Sequence, residues 1–162
     1  MEMIRLFGMD VDGTLTDGKI YMGSTGEIFK AFDVKDGYAI NNILTNNNIV
    51  PIIITARESQ IVSLRARELG IEEVYQDCKN KRDKYIEIAG KYGIHLNNDG
   101  HLPKTAFIGD DISDIEVMKV SEISGCPYNA AKNVKTVANY VSPFNGGDGA
   151  VRDFIEWIID RC

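Results

Sequence analysis

Two clusters of acidic residues stand directly after short apolar runs of the sequence. Asp10 and Asp12 follow the run from Ile4 to Met9, and residues 109–114 (Gly-Asp-Asp-Ile-Ser-Asp) follow the run from Thr105 to Ile108. Alternation along a strand would bring Asp10 and Asp12 to one spot, where carboxylates repel one another unless a cation compensates them. Oxygen ligands without nearby His or Cys favour Mg²⁺ over zinc, and Mg²⁺ commonly shares its coordination with a phosphate. The clusters therefore predict magnesium-dependent phosphate chemistry.

Two further segments carry groups suited to an anion. Thr55 and Arg57 follow the apolar run from Ile49 to Ile54 and supply a hydroxyl and a guanidinium at the expected start of a helix. The basic stretch of residues 79–84 can bring one lysine to the same place as a point charge. A nucleophile, an acid, a metal site, a hydroxyl donor and a cation are the parts of phosphoryl transfer by positioning and charge neutralisation.

The elements that must position these residues alternate along the chain. The apolar runs are too short for helices and rich in Ile, Val and Phe, which is typical of strands buried on both faces. Helical periodicity separates them, around residues 61–69, 85–92 and 151–159. This alternation predicts an α/β fold with a doubly wound, Rossmann-like, mostly parallel sheet. Because ligands of such sheets bind beyond the carboxyl ends of the strands, we expect the acidic and basic groups to meet there.

One segment, Lys19 to Phe32, breaks this alternation. Its Gly-Ser-Thr-Gly turn between two stretches typical of strands predicts a β-hairpin inserted after the first strand. The remaining residues before Thr55, and those from Thr55 to Lys81, are too few for a cap domain. We therefore expect one domain over residues 1–162, whose active centre would be open to water unless other subunits cover it.

Composition limits the possible partners. The chain has 162 residues, 24 acidic against 18 basic side chains and a net charge of −6, which disfavours nucleic acid as a partner. No apolar run approaches the roughly 20 residues that span a membrane. Cys78, Cys126 and Cys162 lie far apart without metal-binding spacing, which indicates a reducing compartment and predicts a cytoplasmic protein.

At these residues the sequence resembles the haloacid dehalogenase superfamily of phosphatases, whose Asp-x-Asp-Gly-Thr motif begins here at Asp10. More narrowly, it is similar to the small, capless 3-deoxy-D-manno-octulosonate 8-phosphate phosphatases of lipopolysaccharide sugar synthesis. The segments that carry the similarity are residues 10–18, 20–23, 26–27, 30–38, 70–71, 75–76 and 109–111.

The resemblance implies a role for each catalytic position. Asp10 would attack phosphorus to form an aspartyl-phosphate, and Asp12 would protonate the leaving sugar oxygen and then activate water. Thr55 and Lys81 would hold the phosphoryl oxygens, and Lys81 is preferred to the neighbouring lysines because it matches the family's Tyr-Gln-x-x-x-x-Lys spacing from Tyr75.

The resemblance also implies the ligands of the metal and the substrate. Mg²⁺ would be bound by Asp10, Asp110 and the backbone carbonyl of Asp12, and the site would be oriented by Gly13, Asp111 and Asp114. The positions that the family uses for substrate match Asp12, Asp33, Val34, Lys35, Asp36, Gly37, Arg57, Arg65 and Lys81. The family implies a homotetramer in which hairpins line a shared channel and the glycine-rich segment 146–149 closes over a neighbour's site.

Three departures leave the substrate open. Asn41 and Asp148 replace arginines of the octulosonate enzymes, and Ala56 replaces the glycine of their Thr-Gly-Arg motif. Two lost cations weaken recognition of a sugar carboxylate, so 2-keto-3-deoxynononate or N-acetylneuraminate 9-phosphate is an alternative substrate, although Arg57 favours the octulosonate.

Two other classes of function differ from a phosphatase. A non-catalytic tetramerisation module, like that of animal sialic-acid activating enzymes, would have eroded motifs, whereas every motif is present here. In a phospho-acceptor signalling domain the acceptor aspartate ends the third strand, and here Thr55 follows the second long apolar run instead.

Overall fold

A parallel six-stranded sheet forms the centre of the computed structural model, which describes residues 3–161. The strands within that range are β1 (Leu6–Met9), β2 (Tyr21–Gly23), β3 (Gly26–Phe29), β4 (Val50–Ile54), β5 (Glu73–Tyr75), β6 (Leu102–Ile108), β7 (Ser121–Cys126) and β8 (Tyr140–Val141). The sheet order is β5-β4-β1-β6-β7-β8, and each neighbouring pair is parallel. The chain winds in opposite directions from β1, so the strand order reverses between β1 and β6. The predicted doubly wound α/β fold is confirmed.

Helices cover both faces of the sheet. They are α1 (Val34–Tyr38), which continues as a π-helix over Ala39–Leu44, α2 (Gln60–Glu68), α3 (Lys81–Lys91), α4 (Ile115–Val120), α5 (Lys132–Lys135) and α6 (Ala150–Ile159). Alternate residues of the strands belong to two hydrophobic cores. Phe7 and Met9 lie in the core with the π-helix, α2 and α6, whereas Leu6 lies in the core with α3 and α4. No helix of the described range is long and apolar enough to cross a membrane.

The hairpin lies outside this sandwich. Strands β2 and β3 pair antiparallel, and a bridge between Thr16 and Phe32 closes the base of the hairpin. Met22 and Ile28 are 61% and 62% exposed, which is unusual for large apolar side chains. Residues 3–161 include no cap domain, so the hairpin is the main addition to the sheet and its helices.

Two of the three cysteines fall within the described residues. Cys78 is half-buried, Cys126 is buried, and both are free thiols. Cys162 lies outside the described range.

The start of α6 lies against a buried carboxylate. Asp36 is 1% exposed, and its Oδ1 accepts the backbone N–H of Arg152 at 2.8 Å. Burial raises the pKa of Asp36 to about 6, because desolvation disfavours the charged form more than the helix amides favour it.

Replacing Asp36 with asparagine is therefore expected to stabilise the protein at neutral pH. An acid with a raised pKa binds its proton more tightly in the folded state, so its contribution to stability is lost as pH rises from about 4 to about 6. Asp36→Asn keeps the oxygen that accepts from Arg152 but has no charge to desolvate. We expect it to raise the free energy of unfolding by about 2 kcal/mol at pH 7.5 and to have no advantage at pH 4, as measured by urea unfolding. A gain that is equal at both pH values would contradict this account.

Candidate active site

The site begins where β1 ends. Val11 is fully buried, and its carbonyl accepts the backbone N–H groups of Thr14, Leu15 and Thr16 at 2.9 to 3.1 Å. The chain thus turns immediately after Asp10 instead of continuing as a strand. The argument that strand alternation brings Asp10 and Asp12 together is wrong, since β1 ends at Met9 and the alternation does not extend to Asp12.

Lys81 joins two carboxylates at the carboxyl edge of the sheet. Its Nζ lies 2.7 Å from Asp10 Oδ1 and 2.7 Å from Asp114 Oδ1. Lys81 is the first residue of α3, because the side chain of Asn80 caps that helix by accepting the N–H of Asp83 at 3.1 Å. The lysine is 2% exposed. Although burial lowers its pKa, the charges of Asp10 and Asp114 outweigh this and raise it, so the ammonium stays charged.

Asp114 organises the loop that follows β6. Its Oδ2 accepts the backbone N–H groups of Asp110 and Asp111 at 3.0 and 3.1 Å. The exposed Asp111 caps the short 3-10 turn Ile112–Asp114 by accepting the N–H of Ile112 at 2.7 Å. Both residues therefore shape the loop that presents Asp110.

Asp110 packs against the turn after β1. The hydroxyl of Thr14 donates to Asp110 Oδ1 at 3.0 Å. Gly13 adopts a φ of +93°, and a Cβ at this position would lie 2.0 Å from Asp110 Oδ2. Only glycine permits both the backbone conformation and this close approach.

Three of these carboxylates can hold a cation. Oxygens of Asp10, Asp110 and Asp114 lie within 4.8 Å of one another. Burial, followed by the neighbouring acidic charges, raises the pKa of both Asp10 and Asp110, in the case of Asp10 against the opposing charge of Lys81. Asp114 is already engaged with Lys81 and two amides, so Asp10 and Asp110 are the side chains that fit a magnesium ion. Such an ion would relieve the repulsion that raises their pKa values.

Asp12 is outside this cluster. Its carboxylate Oδ1 lies 2.5 Å from the Nζ of Lys30 on the hairpin. A ligand from Asp12 would therefore have to come from its backbone carbonyl, as the resemblance implies, and this contact stays a prediction.

Thr55 lies in a fixed position after β4. It is 2% exposed, its N–H donates to the carbonyl of Tyr75 at 2.9 Å, and its carbonyl accepts the N–H of Cys78 at 3.0 Å. These bonds attach Thr55 to the end of β5 and to the loop that leads to Lys81. The role of its hydroxyl towards phosphate stays a prediction.

Arg57 does not stand at a helix terminus, contrary to the sequence interpretation. Helix α2 begins at Gln60, because Ser59 is the stronger cap and its Oγ accepts the N–H of Ile61 at 3.2 Å. The guanidinium of Arg57 instead faces Glu27 on the hairpin, at 3.7 Å.

The other residues predicted to bind substrate form the start of α1 and its surroundings. Asp33 caps α1 by accepting the N–H groups of Lys35 and Asp36, and Val34 is 81% exposed. Gly37 packs against Arg65, whose guanidinium lies over the ring of Phe32. Among residues 3–161 no hydrogen bond or ion pair links this segment to Lys81 or the acidic cluster, so its part in binding stays a prediction.

Sequence reasoning missed several residues of the site. Thr14 holds Asp110, Lys30 holds Asp12, and Gly146 and Gly147 pack on the turn after β1. A Cβ on Gly146 would lie 1.9 Å from the carbonyl of Gly13, and the N–H of Gly147 donates to the carbonyl of Thr14 at 3.1 Å. Gly146 and Gly147 make these contacts with their own chain. The closure of segment 146–149 over a neighbour's site, which the resemblance implies, stays a prediction. The sequence signal for this close packing was the pair of successive glycines, Gly146 and Gly147, which have no side chains.

The sheet, the turn after β1 and the acidic cluster define a haloacid dehalogenase-like hydrolase, and the model of that family matches residues 25–155. Two relatives are the 3-deoxy-D-manno-octulosonate 8-phosphate phosphatases KdsC of Salmonella typhi and Escherichia coli K12. They are 40% and 39% identical over 158 residues, 98% of this chain and 80% of theirs. The chain belongs to this phosphatase family.

A solved structure gives the same relationship. The 3-deoxy-D-manno-octulosonate 8-phosphate phosphatase of Moraxella catarrhalis, determined with a magnesium ion, a phosphate ion and KDO, matches with a TM-score of 0.89 at 36% identity. The match covers 97% of this chain and 86% of that one.

Proposed function

We propose that the protein is a magnesium-dependent phosphatase that hydrolyses 3-deoxy-D-manno-octulosonate 8-phosphate. The observation that carries this proposal is the arrangement of the buried Asp10, Lys81 and Asp114 with the half-buried Asp110 at the point where strand order reverses. The names of relatives at 40% identity support the same reaction and the same sugar acid.

The chain's own residues can perform both halves of the reaction. Asp10 attacks phosphorus, and the bond from phosphorus to the sugar oxygen breaks as Asp12 gives that oxygen a proton. Asp12 then takes a proton from water, which attacks the aspartyl-phosphate, releases inorganic phosphate and restores Asp10. Lys81 and Thr55 hold the phosphoryl oxygens. A magnesium ion bound by Asp10, Asp110 and the carbonyl of Asp12 supplies neutralisation of the charge on these oxygens.

The remaining predicted residues would bind the sugar part of the substrate. Arg57, which faces Glu27 on the hairpin, is one candidate for a partner of the sugar carboxylate, and Arg65 with residues 33–37 would complete recognition. Asn41 donates to the carbonyl of Leu69 at 3.0 Å and carries no charge, which reduces the positive charge available.

Phosphate release from the eight-carbon and nine-carbon acid phosphates tests the substrate. We expect kcat/KM to be at least about tenfold higher for the octulosonate 8-phosphate, equivalent to one charged contact. A preference for 2-keto-3-deoxynononate or N-acetylneuraminate 9-phosphate would assign the protein to that sister activity. No hydrolysis of either class would overturn the phosphatase itself.

Assembly as a homotetramer is part of the proposal. The exposed apolar residues of the hairpin and α1, among them Met22, Ile28 and Val34, support a contact between subunits in this region. Such a contact would shield the phosphoenzyme from bulk water. A cytoplasmic location is also part of the proposal, and the free thiols of Cys78 and Cys126 support a reducing compartment. Light scattering of the purified protein measures the number of subunits, and a monomer would contradict this part.

Magnesium is expected to be required for turnover and to stabilise the fold. EDTA should abolish phosphate release, and Mg²⁺ at about 100 times its Kd should raise the free energy of unfolding by about 2.7 kcal/mol. Asp110→Asn should lose this gain, whereas Asp99→Asn, on an exposed loop, should keep it. Full activity in EDTA would contradict the proposed metal site.

A further inference from the structure

Lys30 is a buried lysine that the reaction as described does not use. It directly follows β3 on a hairpin that is largely exposed, yet its side chain is only 2% exposed. A buried ammonium group is costly unless it is paired. Its Nζ lies 2.5 Å from Asp12 Oδ1 and 3.0 Å from Glu27 Oε2, so Lys30 stands between two carboxylates.

The position of the Asp12 carboxylate depends on this lysine. Among the hydrogen bonds of residues 3–161, the bond from Lys30 is the one that reaches the Asp12 side chain. The other reactive carboxylates have separate supports, since Lys81 holds Asp10 and Thr14 holds Asp110. Loss of Lys30 would therefore free Asp12 and leave the nucleophile and metal ligands in place.

Glu27 holds Lys30 and is itself attached to the body of the protein. The hydroxyl of Ser59 donates to Glu27 Oε1 at 2.8 Å, and the N–H of Ser59 donates to Gln76 Oε1 at 2.8 Å. Although burial raises the pKa of Glu27, the ion pair with Lys30 and the hydrogen bond from Ser59 outweigh it and lower the pKa, so the carboxylate stays charged. Glu27 thus links the hairpin to the cap of α2.

We propose that Lys30 is a positioning residue that fixes the Asp12 carboxylate for proton transfer, and that Glu27 holds Lys30 in that position. The inference rests on the proposed function, in which Asp12 protonates the leaving oxygen. Proton transfer needs heavy atoms about 2.6–3.2 Å apart, and without Lys30 the carboxylate turns about its side-chain bonds. A turned Asp12 slows the reaction only when the leaving oxygen requires a proton.

Substituted phenyl phosphates test whether Lys30 positions Asp12 for proton transfer. They lack the sugar, and they differ from one another in how strongly the leaving oxygen needs a proton. Nitrophenolate departs unprotonated, whereas phenolate benefits from an acid. The parameter kcat/KM extends only to departure of the leaving group, so activation of water by Asp12 does not enter it. In Lys30→Met we expect kcat/KM for phenyl phosphate to fall by about 10- to 100-fold and that for p-nitrophenyl phosphate by no more than about threefold.

Matched variants separate positioning from loss of charge. Lys30→Arg should restore most of the activity on phenyl phosphate, and Glu27→Gln should give a smaller loss with the same dependence on the leaving group. Lys19→Met, at an exposed lysine of the same hairpin, should leave kcat/KM unchanged for both phenyl phosphate and p-nitrophenyl phosphate. If Lys30→Met does not fold, Glu27→Gln and Lys30→Arg still measure the dependence. Equal losses on both substrates would overturn the proposal.

Crystal structures of the wild type and Lys30→Met give a readout independent of activity. We expect the Asp12 carboxylate to move or to take several orientations in the variant, while Asp10 and Lys81 stay in place. An unmoved Asp12 would overturn the proposal. If the wild type with Mg²⁺ releases no phosphate from the eight-carbon or the nine-carbon acid phosphates, the proposed function fails, and the comparison of structures still decides whether Lys30 positions Asp12.

Discussion

Asp10→Asn is expected to lower phosphate release by at least about 10⁴-fold, because an amide cannot form the aspartyl-phosphate intermediate. The fold should survive, since the substitution removes one of three clustered acidic side chains that repel one another. Lys81 keeps its bond to Asp114 in the variant. Initial rates of phosphate release with saturating Mg²⁺, together with thermal unfolding of both proteins, measure the two effects.

The control for this experiment is Asp160→Asn, at an exposed position just after α6. It changes the net charge by the same amount without touching the site and should keep full activity. Turnover by Asp10→Asn within about tenfold of the wild type would remove Asp10 as the nucleophile and, with it, the covalent mechanism.

Lys81→Met is expected to be the most destabilising single change at the site. It leaves Asp10 and Asp114 facing one another without their shared cation, and removing one partner of a buried ion pair typically costs about 3–5 kcal/mol. Activity should fall with it, because the phosphoryl oxygens lose a positive charge that the fold holds in place. Urea unfolding in EDTA isolates the effect on stability from that of magnesium.

Two further variants test the physical reason. Lys84→Met, three residues along the same helix, removes a pair with Glu87 and a contact with the ring of Tyr75, both near the surface, and should lower the free energy of unfolding by no more than about 1 kcal/mol. Lys81→Met combined with Asp114→Asn should recover part of the lost stability, since one uncompensated charge is then absent. If the double variant is no more stable than Lys81→Met, charge repulsion is not the cause.

Most of the architecture could be predicted from local pattern. The strands at 50–54, 73–75 and 140–141, the hairpin between residues 19 and 32, and the helix over 150–159 follow from hydrophobic period and turn residues, which depend on near neighbours in the sequence. The start of α2 was misplaced because Ser59, a stronger cap than the residues before it, decides where that helix begins.

The site could be predicted only in part, because its details depend on contacts between distant segments. Residue types and strand ends brought Asp10, Asp110 and one lysine of residues 79–84 to one edge of the sheet, and the resemblance to the phosphatase family singled out Lys81. Nothing local to Asp12 shows that the turn after β1 directs it to Lys30, or that Asp114 is the third carboxylate of the cluster. Those choices follow from tertiary packing that no short window of sequence contains.

The packing of Gly146 and Gly147 on the turn after β1 has a consequence for how the protein is made. A ribosome releases Thr14 long before Gly147, yet the carbonyl of one accepts the amide of the other. The nascent chain therefore cannot complete the packing of the turn after β1 until synthesis has passed β8. Contacts between residues this far apart in the sequence form slowly. Catalytic competence is thus acquired late, after all six strands of the sheet have been synthesised.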